Sequence, residues 1–409
     1  MVRRGRRPGE KGAVIALALL ACCAPLPPAP AKPDWRPLTQ YLDSVVSAGA
    51  APGAVVAISW HGRRFVYGTG HLGENLPGRP DGHTIYDLAS LTKVIGLTTM
   101  IMMGVEEGRL WLDSTVAHWV PAFRGPGKDQ VTLRSLLTHS SGLPGWRRLY
   151  DSTTSRAEAM ALADTTPLDT VPGARFVYSD LGAIVLTQVV ESEYGQRLDS
   201  LVTRRVFAPL GLSSTRWLPP VDWLQRIAPT ELDTAWRRRM LRGEVHDENA
   251  SRMDGVSGHA GLFSDAEDLA RFGEWLLSGG QAAKRAGGQK RAPGGGDVTS
   301  FAIAAPRSLP DFIQRQELPP GSSRALGWDT PSENSSAGTR MSPQSFGHTG
   351  FTGTSIWIDP ARDVFVILLS NRVNPTRANT KIGRVRVALA DAVMSTLTRS
   401  PLSTQSAHP

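Results

Sequence analysis

The sequence predicts an α+β protein in which an antiparallel sheet with flanking helices is formed by both chain ends and a mainly helical unit is inserted between them. Three observations carry this. Strand-like runs at residues 54–60 and 63–70 near one end are matched by runs at 354–358 and 364–370 near the other. Between them, from residue 91 to about 262, apolar residues recur at helical spacing, broken by Gly and Pro. A hydrophobic content of 41% over 409 residues is ample for a large core and excludes a disordered chain.

The first segment is an export signal. Arg3, Arg4, Arg6, Arg7 and Lys11 precede the apolar run 13–21, which is too short to stay in a bilayer as a spanning helix. The whole chain carries a net +8, but removing residues 1–21 leaves 40 basic against 36 acidic residues, a net +4. Nucleic acid is therefore not an expected partner. Leu19-Leu20-Ala21-Cys22 resembles a bacterial lipobox with Cys22 as the lipidated residue, although Leu20 is unusual there; the alternative is simple cleavage near Ala24. The only two cysteines, Cys22 and Cys23, lie here, so no disulfide is expected in the body.

Residues 1–24 are thus expected to be a signal or lipoprotein segment, 25–35 a Pro-rich linker, 36–397 the globular body with a helical subdomain at about 91–262, and 398–409 a disordered tail. The expected location is the bacterial periplasm or cell envelope, with lipid at Cys22 as the sole membrane contact.

Within the body, Leu38, Leu42, Val45 and Val46 recur at i, i+4, i+7 and i+8 before Gly49, predicting a helix over 37–48. His61-Gly62 between two strand runs reads as a two-residue hairpin turn. Helices are expected at 91–106, 133–137, 156–162, 181–193, 198–206 and 265–277. The glycine-rich stretch 278–297 reads as a mobile surface insertion, and Arg237-Arg238-Arg239 with Arg242 as a solvated helix face. Residues 359–363 suit a hairpin loop, and Ile382, Val385, Leu389, Val393 and Leu397 mark a final helix.

Several motifs fail on context. Gly68-Thr69-Gly70-His71-Leu72-Gly73 matches G-x-G-x-x-G but is followed by Pro77 and Pro80 rather than a helix. No G-x-S-x-G occurs, and the nine histidines show no H-E-x-x-H or similar spacing; His246-Asp247-Glu248-Asn249 resembles a ligand cluster but is not read as one, so neither metal nor cofactor is expected.

The chemistry sits elsewhere. Ser90-Leu91-Thr92-Lys93 opens a predicted helix, where i and i+3 share a face, so hydroxyl and ammonium are neighbours. A serine needs its proton removed to become a nucleophile, and a lysine, or a phenolate poised by one, can do that. Tyr178-Ser179-Asp180 follows in the helical region, and His348-Thr349-Gly350 is read as beginning a strand.

With these three motifs the chain resembles the serine β-lactamase and penicillin-recognising enzyme superfamily, in its class C-like branch of β-lactamase-related hydrolases, DD-peptidases and esterases. Residues 107–110, 136–143, 209–212 and 258–264 add to the likeness, which covers about 36–397. The resemblance implies an acyl-serine mechanism with Ser90 as nucleophile, Lys93 as base or electrostatic partner and Tyr178 as proton shuttle. It implies an oxyanion hole from the Ser90 and Phe351 backbone N–H groups, with Asp180, His348, Thr349 and Gly350 at the substrate. Two departures stand out. Asp180 replaces the usual Asn; near Lys93 it would favour the ammonium and leave Tyr178 as base. His348 replaces the Lys of K-T-G, which weakens anchoring of an anionic β-lactam. His139 is read as structural. His259 either borders the cleft or is satisfied by backbone groups.

The expected activity is amide or ester cleavage on a D-amino-acid cell-wall peptide or a small ester. A true β-lactamase and a catalytically silent peptidoglycan-binding protein are the alternatives.

Overall fold

A computed structural model describes residues 32–286 and 302–398. The export segment with Cys22, most of the Pro-rich linker, residues 287–301 and the tail beyond 398 lie outside the described residues.

Helix α1 (Arg36–Ser47) leads into β1 (Gly53–Trp60) and β2 (Arg63–Gly70). His61 and Gly62 both have positive φ, 50° and 74°, as the tight hairpin turn requires. From the other end come β3 (Phe346–Thr349), β4 (Ser355–Asp359) and β5 (Val364–Ser370). The order is β2-β1-β5-β4-β3, antiparallel throughout, with Val56 opposite Leu368. The two chain ends therefore meet at the β1–β5 seam.

Alternation along these strands sorts side chains into two cores. Val56, Ile58, Val366 and Leu368 pack with Leu38 and Leu42 of α1 and with Val385 and Leu389 of the final helix, α6 (Ile382–Thr398). Val55, Ala57, Phe365 and Ile367 face the opposite way, into the core shared with the helical region. That core contains α2 (Thr99–Glu106), α3 (Leu133–Leu137), α4 (Asp180–Tyr194) and α5 (Ala266–Ala286).

Four expectations change. The helix at the S-x-x-K motif is π-wound over Lys93–Thr98 before α2 begins. A Cβ on Gly96 there would stand 2.6 Å from the Trp217 ring, so the close approach requires glycine. His348-Thr349-Gly350 closes β3 instead of opening a strand, because Gly350 and Gly353 (φ 120°) turn the chain before β4. Helix α5 runs on to Ala286, so residues 278–286 of the expected insertion are helical. Arg237 is not on a solvated helix face: it is buried in a turn, pairs with Asp233 at 2.9 Å and donates to the carbonyls of Val245 and His246.

Candidate active site

The turn that presents Ser90 is built by its neighbours. Ala89 adopts φ 46°, a costly conformation for a residue with a Cβ. Buried Asp87 holds it there by accepting the Ala89 N–H at 2.8 Å and the His246 N–H at 2.7 Å. Thr352 Oγ1 donates to the Asp87 carbonyl at 2.7 Å and Thr354 Oγ1 to the Leu88 carbonyl at 3.0 Å. The loop after β3 is thus stitched to the turn that presents Ser90.

Lys93 Nζ donates to Ser90 Oγ and to the His259 carbonyl, both at 2.9 Å, and pairs with Asp180 Oδ1 at 2.6 Å. Burial alone would push its pKa down; the Asp180 carboxylate and Tyr178 outweigh burial and the net shift is upward. The pairing therefore favours the ammonium form of Lys93.

Asp180 begins α4, where Ser179 Oγ caps the helix by accepting the Gly182 N–H at 3.1 Å. His139 Nδ1 accepts the Ser179 N–H at 3.1 Å, and its ring lies 4.5 Å from that of Tyr178. Burial, then the charges of Arg324 and Lys93, hold its pKa well below the ordinary imidazole value, so it supports Tyr178 as a neutral ring. Tyr178 Oη is buried and makes no hydrogen bond with a described residue, and the Lys93 ammonium lies 5.1 Å from its ring centre.

His348 is buried, and its pKa is likewise lowered, by burial first and then by Arg324 and Lys93. Nδ1–H donates to the Thr349 carbonyl at 2.9 Å, which leaves Nε2 an acceptor without a described partner. His259 borders the cleft, the first of its two expected placements, and its ring is satisfied by side chains, Ser257 Oγ at 2.7 Å and Asp247 Oδ1 at 2.8 Å, rather than by backbone groups.

Ser90, Tyr178, Asp180, His348, Thr349, Gly350 and Phe351 all line one cleft of about 750 Å³ between the sheet and the helical region. Buried Lys93 stands behind Ser90 in its wall. The N–H groups of Ser90 and Phe351 engage no other described backbone group. Each predicted site residue among the described ones is thus brought to this cleft.

Two arginines were missed. Arg324 is mostly buried; its guanidinium lies 5.2 Å from the Phe176 ring centre and 5.4 Å from that of Tyr178, and its Nη1 has no described partner. Arg386, on α6, reaches the carbonyls behind Phe351. No motif surrounds either one. Among the described residues no group of three or more His, Cys, Asp and Glu is placed to hold a metal; His246 instead pairs with Glu231 at 2.9 Å.

This fold and cleft define a serine hydrolase. The family model Beta-lactamase matches residues 38–390, and the chain belongs to that family. A relative from Salmonella schwarzengrund (strain CVM19633), provisionally named a D-alanyl-D-alanine carboxypeptidase, is 31% identical over 335 residues, 75% of this chain and 73% of its own. One from Escherichia coli (strain K12) with the same provisional name is 32% identical over 318 residues, 71% and 69% of the two chains. Among solved structures, a penicillin-binding protein homolog from Caulobacter crescentus superposes with TM-score 0.67 at 20% identity, covering 88% of this chain and 96% of its own. EstCE1, a hydrolase with promiscuous acyltransferase activity, gives 0.66 at 22%, covering 87% and 97%. These two likenesses establish the fold.

Proposed function

We propose that the protein is an exported carboxypeptidase-type hydrolase that forms an acyl-enzyme on Ser90 and releases the terminal residue of a D-amino-acid cell-wall peptide. The observation that carries the substrate class is Arg324. A guanidinium with an unpartnered nitrogen, held over the Tyr178 ring in a partly desolvated cleft, suits a terminal carboxylate. It supplies the positive charge that neutral His348 lacks. The provisional names of the two bacterial relatives agree with this reading.

In the proposed mechanism Ser90 Oγ attacks the scissile carbonyl as Tyr178 Oη takes its proton. The Lys93 ammonium stabilises the phenolate form of Tyr178 that does so, and the oxyanion is received by the N–H groups of Ser90 and Phe351. Tyr178 then protonates the leaving amine. In the second half it takes a proton from water, whose oxygen attacks the ester carbonyl, and returns a proton to Ser90 Oγ. Asp180 keeps Lys93 charged throughout. Export and lipidation of Cys22 complete the proposal and rest on the sequence of the first segment.

A second reading, hydrolysis of small esters, is favoured by Trp146, Phe176 and Phe351, which line the cleft and are 44%, 42% and 50% exposed. Release of D-alanine from a D-alanyl-D-alanine peptide, compared with hydrolysis of a p-nitrophenyl ester, separates the two. Ser90→Ala is expected to abolish whichever activity is present; full activity in that variant removes the acyl-serine assignment.

A further inference from the structure

Phe351 lines the cleft, is half-exposed, and has an N–H that engages no described backbone group, so packing of its ring alone does not fix that N–H. Its orientation is set from behind. The Gly350 carbonyl and the Phe351 N–H belong to one planar trans peptide and point in opposite directions. Arg386 Nη2 donates to that carbonyl at 2.6 Å and to the Thr354 carbonyl at 2.7 Å. The Gly353 N–H adds a bond to the Gly350 carbonyl at 3.1 Å, and the Gly350 N–H donates to Thr354 at 2.8 Å. The next carbonyl, of Phe351 itself, accepts from Arg372 Nε at 2.8 Å, and that guanidinium sits 4.4 Å from the Phe351 ring centre. Both peptide planes flanking the Phe351 Cα are therefore gripped by guanidinium groups.

We infer that Arg386 is a positioning residue for the oxyanion hole: its guanidinium locks the Gly350–Phe351 peptide with the N–H turned toward the acyl carbonyl and polarises that N–H as a donor. The inference rests on the proposed role of Ser90 and Phe351. A charged donor on a peptide oxygen draws electron density through the amide and strengthens the hydrogen bond its N–H can give. Burial, and then Arg372, push the Arg386 pKa down to about 10, which leaves it charged at neutral pH. Arg386 forms no ion pair with a described carboxylate, and its Nε has no described partner. The charge is thus retained at the cost of desolvation, behind the position where negative charge develops in the transition state.

The test compares the parent with Arg386→Met and Arg386→Lys. In Arg386→Met, kcat for a p-nitrophenyl ester is expected to fall about tenfold to a hundredfold, a fraction of the loss typical for a whole oxyanion donor, with KM nearly unchanged. The inhibition constant of phenylboronic acid, whose tetrahedral serine adduct places an oxygen in the hole, is expected to rise by a similar factor. Arg386→Lys recovers part of both. A folded Met variant with parental kcat overturns the inference, and so does lost turnover with boronate affinity unchanged. If Arg386→Met does not fold, the Lys variant carries the comparison: a partial fall in kcat with a matching loss of boronate affinity supports the inference, and parental values of both overturn it. A Lys variant that also fails to fold assigns the residue to the fold alone and overturns the inference. Failure of the underlying reading looks different: Ser90→Ala would stay active and the parent would be insensitive to boronate.

Discussion

Replacing Asp180 by Asn tests how the site divides its charge. The carboxylate lies 2.6 Å from Lys93 Nζ, with only 4% of the lysine and 20% of the aspartate side chain exposed. A pair in such contact is worth on the order of 4 kcal/mol at an effective dielectric of about 20. That corresponds to about three pKa units, and two is a sober figure given the exposed edge of Asp180. The sign follows from the pairing: the carboxylate favours the ammonium, so its removal lowers the Lys93 pKa. The same change leaves the ammonium unneutralised, which strengthens its attraction for a negative charge on the Tyr178 oxygen. In profiles of log kcat/KM against pH for a p-nitrophenyl ester, the acid limb of Asp180→Asn should move down, and an alkaline limb absent from the parent should move into reach. If no alkaline limb appears in Asp180→Asn while activity at pH 7 rises, neutral Lys93 is the base and the assignment to Tyr178 is refuted.

Three further outcomes are expected. Arg324→Met should raise KM for a D-alanyl-D-alanine peptide about tenfold or more, as loss of a charge-assisted contact implies, while a neutral p-nitrophenyl ester is turned over as before. Asp268 has its pKa raised to about 6, by burial first and by the neighbouring Asp265 carboxylate second. Its folded pKa exceeds the unfolded one, so its stability contribution is full below about pH 4 and is lost as pH rises through 6. Asp268→Asn should therefore be more stable than the parent by about 1–3 kcal/mol at pH 7.5 and no different at pH 4, as read by denaturant unfolding. Arg237→Ala leaves Asp233 buried without its cation and should cost about 3–5 kcal/mol, measured as a fall in the denaturation midpoint.

The strands were legible because each has one residue per face and the two faces meet different partners. Val55 and Val56 already announce two cores, and His61-Gly62 announces the turn between strands. The proximity of Ser90 and Lys93 was legible from their i, i+3 spacing, since that contact is local, but their roles needed the other two motifs and the family resemblance; the effect of Asp180 on Lys93 followed once the two were brought together. What escaped was long-range or depended on acceptors the sequence does not mark. Arg237 shows its charge in the sequence but not the carbonyls of Val245 and His246 that bury it. Arg324 and Arg386 lie in stretches with no motif, and their partners are rings and carbonyls from other segments. The misplacement of His348-Thr349-Gly350 has a local cause, because Gly350 and Gly353 read equally well as part of a strand and as the turn they form.

The bonds from Thr352 to Asp87 and from Thr354 to Leu88 join positions 265 and 266 residues apart. Contacts of that separation form late, since the intervening chain must first be ordered. A growing chain that has already made its serine, lysine and tyrosine still has no strand β5 beside β1 and no Phe351 amide opposite Ser90. Catalytic competence in this architecture is therefore the last product of synthesis, and a polypeptide halted before its closing strands carries the reactive groups without the means to use them.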